Sequence, residues 1–257
     1  MIIQTVSLDD KNLDYTYDGY QLTIELPKEY KKGETYTLYL KYTARPEKVK
    51  DKGSIAITAA KGLYFINSTG SDPNKPTQIW TQGETEANSC WFPTIDSPNQ
   101  KTSQEIYITV PNKFKTLSNG VLVSQENSGS NRTDYWKFDQ KHAPYLFFMG
   151  VGEYEVIEDS YKNIPVNYYV EKKYASVAKD IFGLTPEMIG FFEDRLGVAY
   201  PWAKYSQIVA REYVSGAMEN TTAVVHGDDA YQMKGQLIDE NRQENTIAHE
   251  IFHHWFG

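Results

Sequence analysis

Residues 164–197 read IPVNYYVEKKYASVAKDIFGLTPEMIGFFEDRLG, and the period of the apolar residues changes within that stretch. IPVNYYV has the β-branched and aromatic texture of a strand. Beyond it, Val177, Ile181, Leu184, Met188, Phe191, Phe192 and Leu196 recur at spacings of three and four. That is the period of a helix with one buried face, and Gly183 and Pro186 are expected to interrupt it. A further strand-like run, YSQIVAREY (205–213), follows. Strand, helix and strand in succession predict an α+β unit from about residue 156 to residue 257.

Upstream the texture is different. YQLTIEL (20–26), ETYTLYLKYTA (34–44), SQEIYITV (103–110) and TDYWKFD (133–139) alternate apolar or aromatic with polar side chains. Turn clusters rich in Gly, Pro, Asn and Ser separate them: STGSDPNKP (68–76), DSPNQK (96–101) and ENSGSNR (126–132). Residues 1–155 are therefore expected to form an antiparallel β domain carrying most of the 20 tyrosines. The fold class is α+β. No internal repeat and no low-complexity linker is visible.

Composition narrows the partners. A formal net charge of −8 with thinly spread lysines excludes a phosphate-backbone partner, because nucleic-acid binding requires clustered cations; KEYKK (28–32) reads as a solvated turn. No apolar run approaches the length of a membrane span. One cysteine, Cys90, rules out an internal disulfide framework and leaves the compartment open. The N-terminal residues MIIQTVSLDD lack the basic and apolar regions of a signal peptide.

Three of the five histidines fall in the last nine residues, HEIFHHWFG. Advancing about 100° per residue puts Ile247, Ala248, Ile251, Phe252, Trp255 and Phe256 on one half of a helix, and His249, Glu250, His253 and His254 on the other. His249 and His253 lie one turn apart, so two imidazoles can grip one metal ion. Glu250, about 60° round the helix from His253, can reach a water on that metal without ligating it, which is the mechanical content of an H-E-x-x-H pattern. The same residues also read as a solvated helix edge. His254 points further round and is expected behind the ligands or at the surface.

HEIFHHWFG resembles the zinc-binding signature of the aminopeptidase N family, usually written HELAHQWFG. Upstream, GAMEN (Gly216, Ala217, Met218, Glu219 and Asn220) stands as that family writes it. TQGETEANSCWFPTIDSPNQK (81–101), TLSNG (116–120), YLFFMGVGEY (145–154) and FFEDRLGVAYPWAKYSQIVA (191–210) follow the family order, so the resemblance runs from about Gly62 to Gly257.

The resemblance implies a saddle-like N-terminal β domain and then the first part of a thermolysin-like catalytic domain. It implies His249 and His253 as zinc ligands, with Glu250 as the general base that deprotonates water and passes the proton to the leaving amine. Glu219, on an extended edge, would hold the free α-ammonium group of a peptide, which confines cutting to the first residue. GAMEN would pair with the substrate backbone as an added strand does. Gln82 and Glu84 would help line the first substrate pocket. Gly83 stands where relatives often carry Cys, and Glu86 is a neighbouring rival to Glu84.

Family members take a third zinc ligand and an oxyanion-stabilising tyrosine from chain beyond the position of Gly257. The expectation is therefore a fragment of a longer zinc aminopeptidase: weak in zinc by itself, inactive by itself, and exposing Ile251, Phe252, Trp255 and Phe256. The alternative is a peptide-binding or scaffold module of the same fold without catalysis. Epoxide opening, known in a few relatives, has no discriminating feature here.

Overall fold

A computed structural model describes residues 1–50 and 53–257. The first region holds β1 (Ile2–Leu8), β2 (Lys11–Asn12), β3 (Tyr15–Tyr17), β4 (Leu22–Ile24) and β5 (Leu38–Thr43). β1 is the centre of a three-stranded antiparallel sheet between β2 and β5, and β3 and β4 form a separate hairpin. The alternating exposure along β5 is what its period-two sequence requires.

The middle region contributes β6 (Leu63–Ile66), β7 (Gln78–Thr81), β8 (Thr102–Pro111), β9 (Lys115–Ser118), β10 (Val121–Ser128), β11 (Asn131–His142) and β12 (Met149–Gly152). They form two antiparallel sheets, ordered β10–β11–β8 and β6–β7–β12–β9. ENSGSNR closes the β10–β11 hairpin, with Ser128 opposite Asn131 and Gly129 at φ +60° supplying the left-handed turn residue.

The last region is α+β. β13 (Tyr154–Tyr161), β14 (Ile164–Glu171), β15 (Tyr205–Ala210), β16 (Ala217–Met218) and β17 (Ala223–Gly227) form one sheet ordered β13–β14–β15–β17–β16. β14, β15 and β17 run parallel, while β13 and β16 close the two edges antiparallel. The helices are α1 (Ala178–Phe182), α2 (Thr185–Leu196) and α3 (Glu244–Phe256). α1 and α2 are separate because the chain breaks at Gly183 and Leu184. Pro186 does not interrupt a helix, as expected, but sits in the first turn of α2, where the missing N–H has no intrahelical role. Gly197 ends α2 in the left-handed conformation, its N–H bonded to the Glu193 carbonyl. No helix among the described residues is long and apolar enough to cross a membrane.

Two apolar cores hold these layers. One lies beneath the helices and joins Val166, Tyr168, Phe182, Ile189, Val209, Val224, Ile247 and Ile251. The other joins Trp80, Leu117, Trp136 and Phe148 of the β region with Ile208, Met218 and Val225 of the α+β sheet. Burying Ile247 and Ile251 fully contributes about 1.5–3 kcal/mol each and seats α3 on the sheet.

α3 differs from the face drawn on the sequence. Its buried residues are Ile247, Glu250, Ile251 and His254, so two polar residues face inward. Ile251, expected to be exposed, is fully buried, whereas Phe252 and Phe256 are exposed and Trp255 is half-buried. His254 is likewise not at the surface; burial pushes its imidazole down to about pKa 4. The reason is that the sheet edge lies against the Glu250–His254 side of the helix, a placement that helical periodicity does not encode.

Candidate functional site

α3 brings its two outer histidines together. Their rings meet edge to face, 4.7 Å between centroids, with His253 Nε2 3.1 Å from His249 Nε2. His253 Nδ1 lies 3.1 Å from the Gly257 carbonyl, which can only accept, so Nδ1 carries the hydrogen and Nε2 presents its lone pair. Imidazole nitrogens ~2.0–2.1 Å from a tetrahedral zinc stand about 3.3 Å apart, close to the separation here. The pair thus fits two of the positions of a zinc shell. Among the described residues no group of three or more His, Cys, Asp or Glu is placed to hold one metal.

Glu250 lies on the buried side of α3, and its Oε2 has no hydrogen-bond partner. Burial, reinforced by Glu219 and Glu84, raises its carboxyl pKa to about 8. An unpaired buried carboxylate is costly, and that cost is why the protonated form of Glu250 is favoured here.

The acidic neighbours arrive from two other elements. β16 pairs with β17 on one side only, Ala217 opposite His226 and Met218 opposite Val225, so its other edge carries no neighbour in the sheet. The Gly216 carbonyl accepts the Gly227 N–H at 2.8 Å, which extends the ladder back by one residue. Met218 is sealed in the core, Glu219 follows half-buried, and Asn220 is fully buried with both side-chain amide atoms unpartnered.

The turn after β7 supplies Gln82 and Glu84. Gln82 is fully buried, again with neither amide atom partnered. Glu84 has its carboxyl pKa raised, first by burial and then by Glu219, while His253 opposes the shift. Glu86 is exposed and acts on Asp96 instead, so Glu84 is the acid of this turn that faces the histidines. Gly83 is required by contact: a Cβ there would lie 2.2 Å from the Tyr145 carbonyl oxygen and 2.3 Å from Asn88 Nδ2. A cysteine at this position has no room in this chain.

Of the residues singled out in the sequence, Glu250 on α3, Glu219 at the sheet edge and Glu84 on the loop lie within electrostatic reach of one another, and Glu84 also of His253, whereas Met218, Asn220 and Gln82 are buried and are not tied to these groups by any hydrogen bond among the described residues. A cleft of about 300 Å³ beside them is lined by Glu219, His253, Tyr145, Trp202 and Trp255, among others. Tyr213 went unnoticed in the sequence. Its hydroxyl is buried without a partner and lies within electrostatic reach of Glu250, Glu219 and Glu84. One tyrosine among 20 carries no distinguishing signal.

Comparison with known proteins agrees along the chain. Residues 2–146 match the family profile described as Peptidase M1 N-terminal domain, and residues 181–257 match Peptidase family M1 domain. Tricorn protease-interacting factor F2 of Thermoplasma volcanium is 30% identical over 199 residues, covering 76% of this chain and 24% of that protein. Glutamyl aminopeptidase of Bos taurus is 29% identical over 175 residues, 65% of this chain and 18% of its own length. Probable aminopeptidase 1 of Saccharolobus solfataricus is 26% identical over 261 residues, 99% of this chain and 32% of its own length. The chain thus spans a third or less of each of these relatives.

Proposed function

The chain belongs to peptidase family M1, and on that premise we propose that it forms the β domain (1–155) and the opening part of the catalytic domain (156–257) of a zinc aminopeptidase. The observation that carries this reading is the buried, unpartnered Glu250 carboxyl on the helix that also pairs His249 with His253, within electrostatic reach of Glu219 just past an open sheet edge.

In this reading His249 and His253 hold a zinc ion, which supplies Lewis acidity toward a peptide carbonyl and a water when bound. Glu250 accepts the proton of the attacking water and returns it to the departing amine; the positive charge of a bound zinc would offset the burial that otherwise keeps its carboxyl protonated. Glu219 and Glu84 present two carboxylates to a substrate ammonium group, a contact that an internal peptide bond does not make. The open edge formed by Ala217 and Met218 pairs with the substrate backbone, which holds the first peptide bond in register. Gln82 and Asn220 are fully buried, and their side-chain amide atoms have no hydrogen-bond partner among the described residues. The chain without further ligands holds zinc weakly and does not turn over.

The test uses a protein extended to the length of the relatives. It is expected to bind one zinc and to release N-terminal residues from aminoacyl reporters, while N-acetylated reporters stay intact. Glu250→Gln is expected to lower kcat by ~10²–10⁴ with zinc retained. Peptide binding that persists without metal, with no hydrolysis in the unmodified protein, would overturn the assignment in favour of a binding module.

A further inference from the structure

The turn that follows GAMEN is held in a way that neither the strand nor the helix requires. Thr222 has φ +67°, a left-handed conformation that a β-branched residue adopts only when its surroundings impose it. Thr221 and Thr222 are both buried. The Thr222 N–H donates to His254 Nε2 at 3.1 Å, and its carbonyl accepts Lys204 Nζ at 2.9 Å and the Ser206 N–H at 3.1 Å. Its hydroxyl oxygen accepts the Gly120 N–H at 2.8 Å and Lys204 Nζ at 3.0 Å. The Thr221 carbonyl accepts Asn119 Nδ2 at 2.7 Å, and the Thr221 hydroxyl meets His142 Nδ1 at 3.0 Å.

Each partner is itself pinned. Asn119 Nδ2 also donates to the Leu146 carbonyl at 2.9 Å, and its Oδ1 accepts the Phe148 N–H at 2.7 Å. Lys204 Nζ also lies 2.9 Å from the Ser118 carbonyl. His254 Nδ1 donates to the Glu250 carbonyl at 3.0 Å, which fixes the tautomer and leaves Nε2 as the acceptor that the Thr222 N–H finds. A single imidazole thus joins the backbone of Glu250 to the backbone two residues after Asn220.

We propose that His254 is a positioning residue: through Thr222 it sets the distance and register between the Gly216–Asn220 edge and the His249–Glu250–His253 face, with Asn119 and Lys204 anchoring the same turn to the β region. This rests on the reading that edge and face act on one peptide. Each surface alone is incomplete for that task, and a shift of about 1 Å between a bound substrate and its base costs on the order of a hundredfold in rate. The ring packing of His254, 4.9 Å from Tyr205 and 5.9 Å from Tyr200, would be served by any aromatic side chain. The acceptor nitrogen would not.

His254→Gln keeps an acceptor at the reach of Nε2, and His254→Phe keeps a ring without one. Amide exchange in this chain is expected to accelerate at least tenfold at Met218 and Thr222 in H254F, with Ile208 and Val209 of β15 unchanged, and to stay within threefold of the unmodified chain in H254Q. In the protein extended to the relatives' length, H254F is expected to lower kcat at least tenfold with KM moved by less than threefold, and H254Q to restore it. H254F exchanging and turning over like the unmodified protein, or H254Q as impaired as H254F, would overturn the proposal. His254→Asn, too short to reach Thr222, carries the expectation of H254F if that variant does not fold. Should the unmodified extended protein release no N-terminal residue, the functional reading falls and the exchange experiment alone decides the coupling.

Discussion

Glu250 shows how one side chain can oppose the fold that contains it. Its carboxyl ionises near pH 4.5 in an ordinary setting and near 8 here, because burial and the charges of Glu219 and Glu84 disfavour the anion. The protonated form is the one the fold prefers. Any stability that Glu250 contributes is therefore fully present below pH 4.5 and lost as the pH rises to about 8. Glu250→Gln should leave the metal-free chain almost unchanged at pH 4.5 and stabilise it by ~2–4 kcal/mol at pH 8, measured by urea unfolding at both pH values. An equal effect at the two pH values would contradict this account. The pairing of His249 with His253 was legible because residues four apart project side by side from a helix. The inward turn of Glu250 was not, since it depends on carboxylates that lie 31 and 166 residues upstream.

Among the elements, α3 divides what sequence shows from what it hides. Its helical period was legible, but the period assigns Ile251 and Phe256 to one apolar face, and the fold separates them. Ile251→Ala should cost about 2–5 kcal/mol, as a filled core site does, whereas Phe256→Ser should stay within about 0.5 kcal/mol, both read by urea unfolding. The turn after β7 makes the opposite point, because its glycine is dictated by contact. Gly83→Ala should destabilise the chain by ~2 kcal/mol or more, since the backbone oxygen of Tyr145 cannot swing away as a flexible side chain can. Equal costs at 251 and 256, or a neutral Gly83→Ala, would show that the packing described for these elements is wrong. The strands were legible where they alternate, as in β5 and β11. The two residues of β16 offer no period, and only the family motif pointed to that edge.

At the scale of the molecule, the change of texture near residue 156 marks a change of architecture without marking a gap. Trp80 and Leu117 share a core with Ile208 and Met218, and Lys204 and Asn119 tie the two regions through buried hydrogen bonds. Residues 63–257 should therefore unfold as one unit, with tryptophan fluorescence and the helical circular dichroism signal tracing coincident urea transitions. Separated midpoints would mean that the shared core contributes little. Sequence order cannot reveal such sharing, because it arises from side chains that meet only after both sheets have formed.

The brevity of β16 also bears on how copies of this protein treat one another. A bare sheet edge is a template on which identical chains can stack, and long flat edges are where sheets polymerise. Here the free rim is two residues long and ends at an acidic side chain and then at the left-handed turn of Thr222. Another folded copy brought edge to edge would gain too few bonds to offset two facing carboxylates. A short extended peptide with a cationic end meets no such repulsion, so the same brevity that disfavours pairing of two copies along this edge leaves it open to a single short strand.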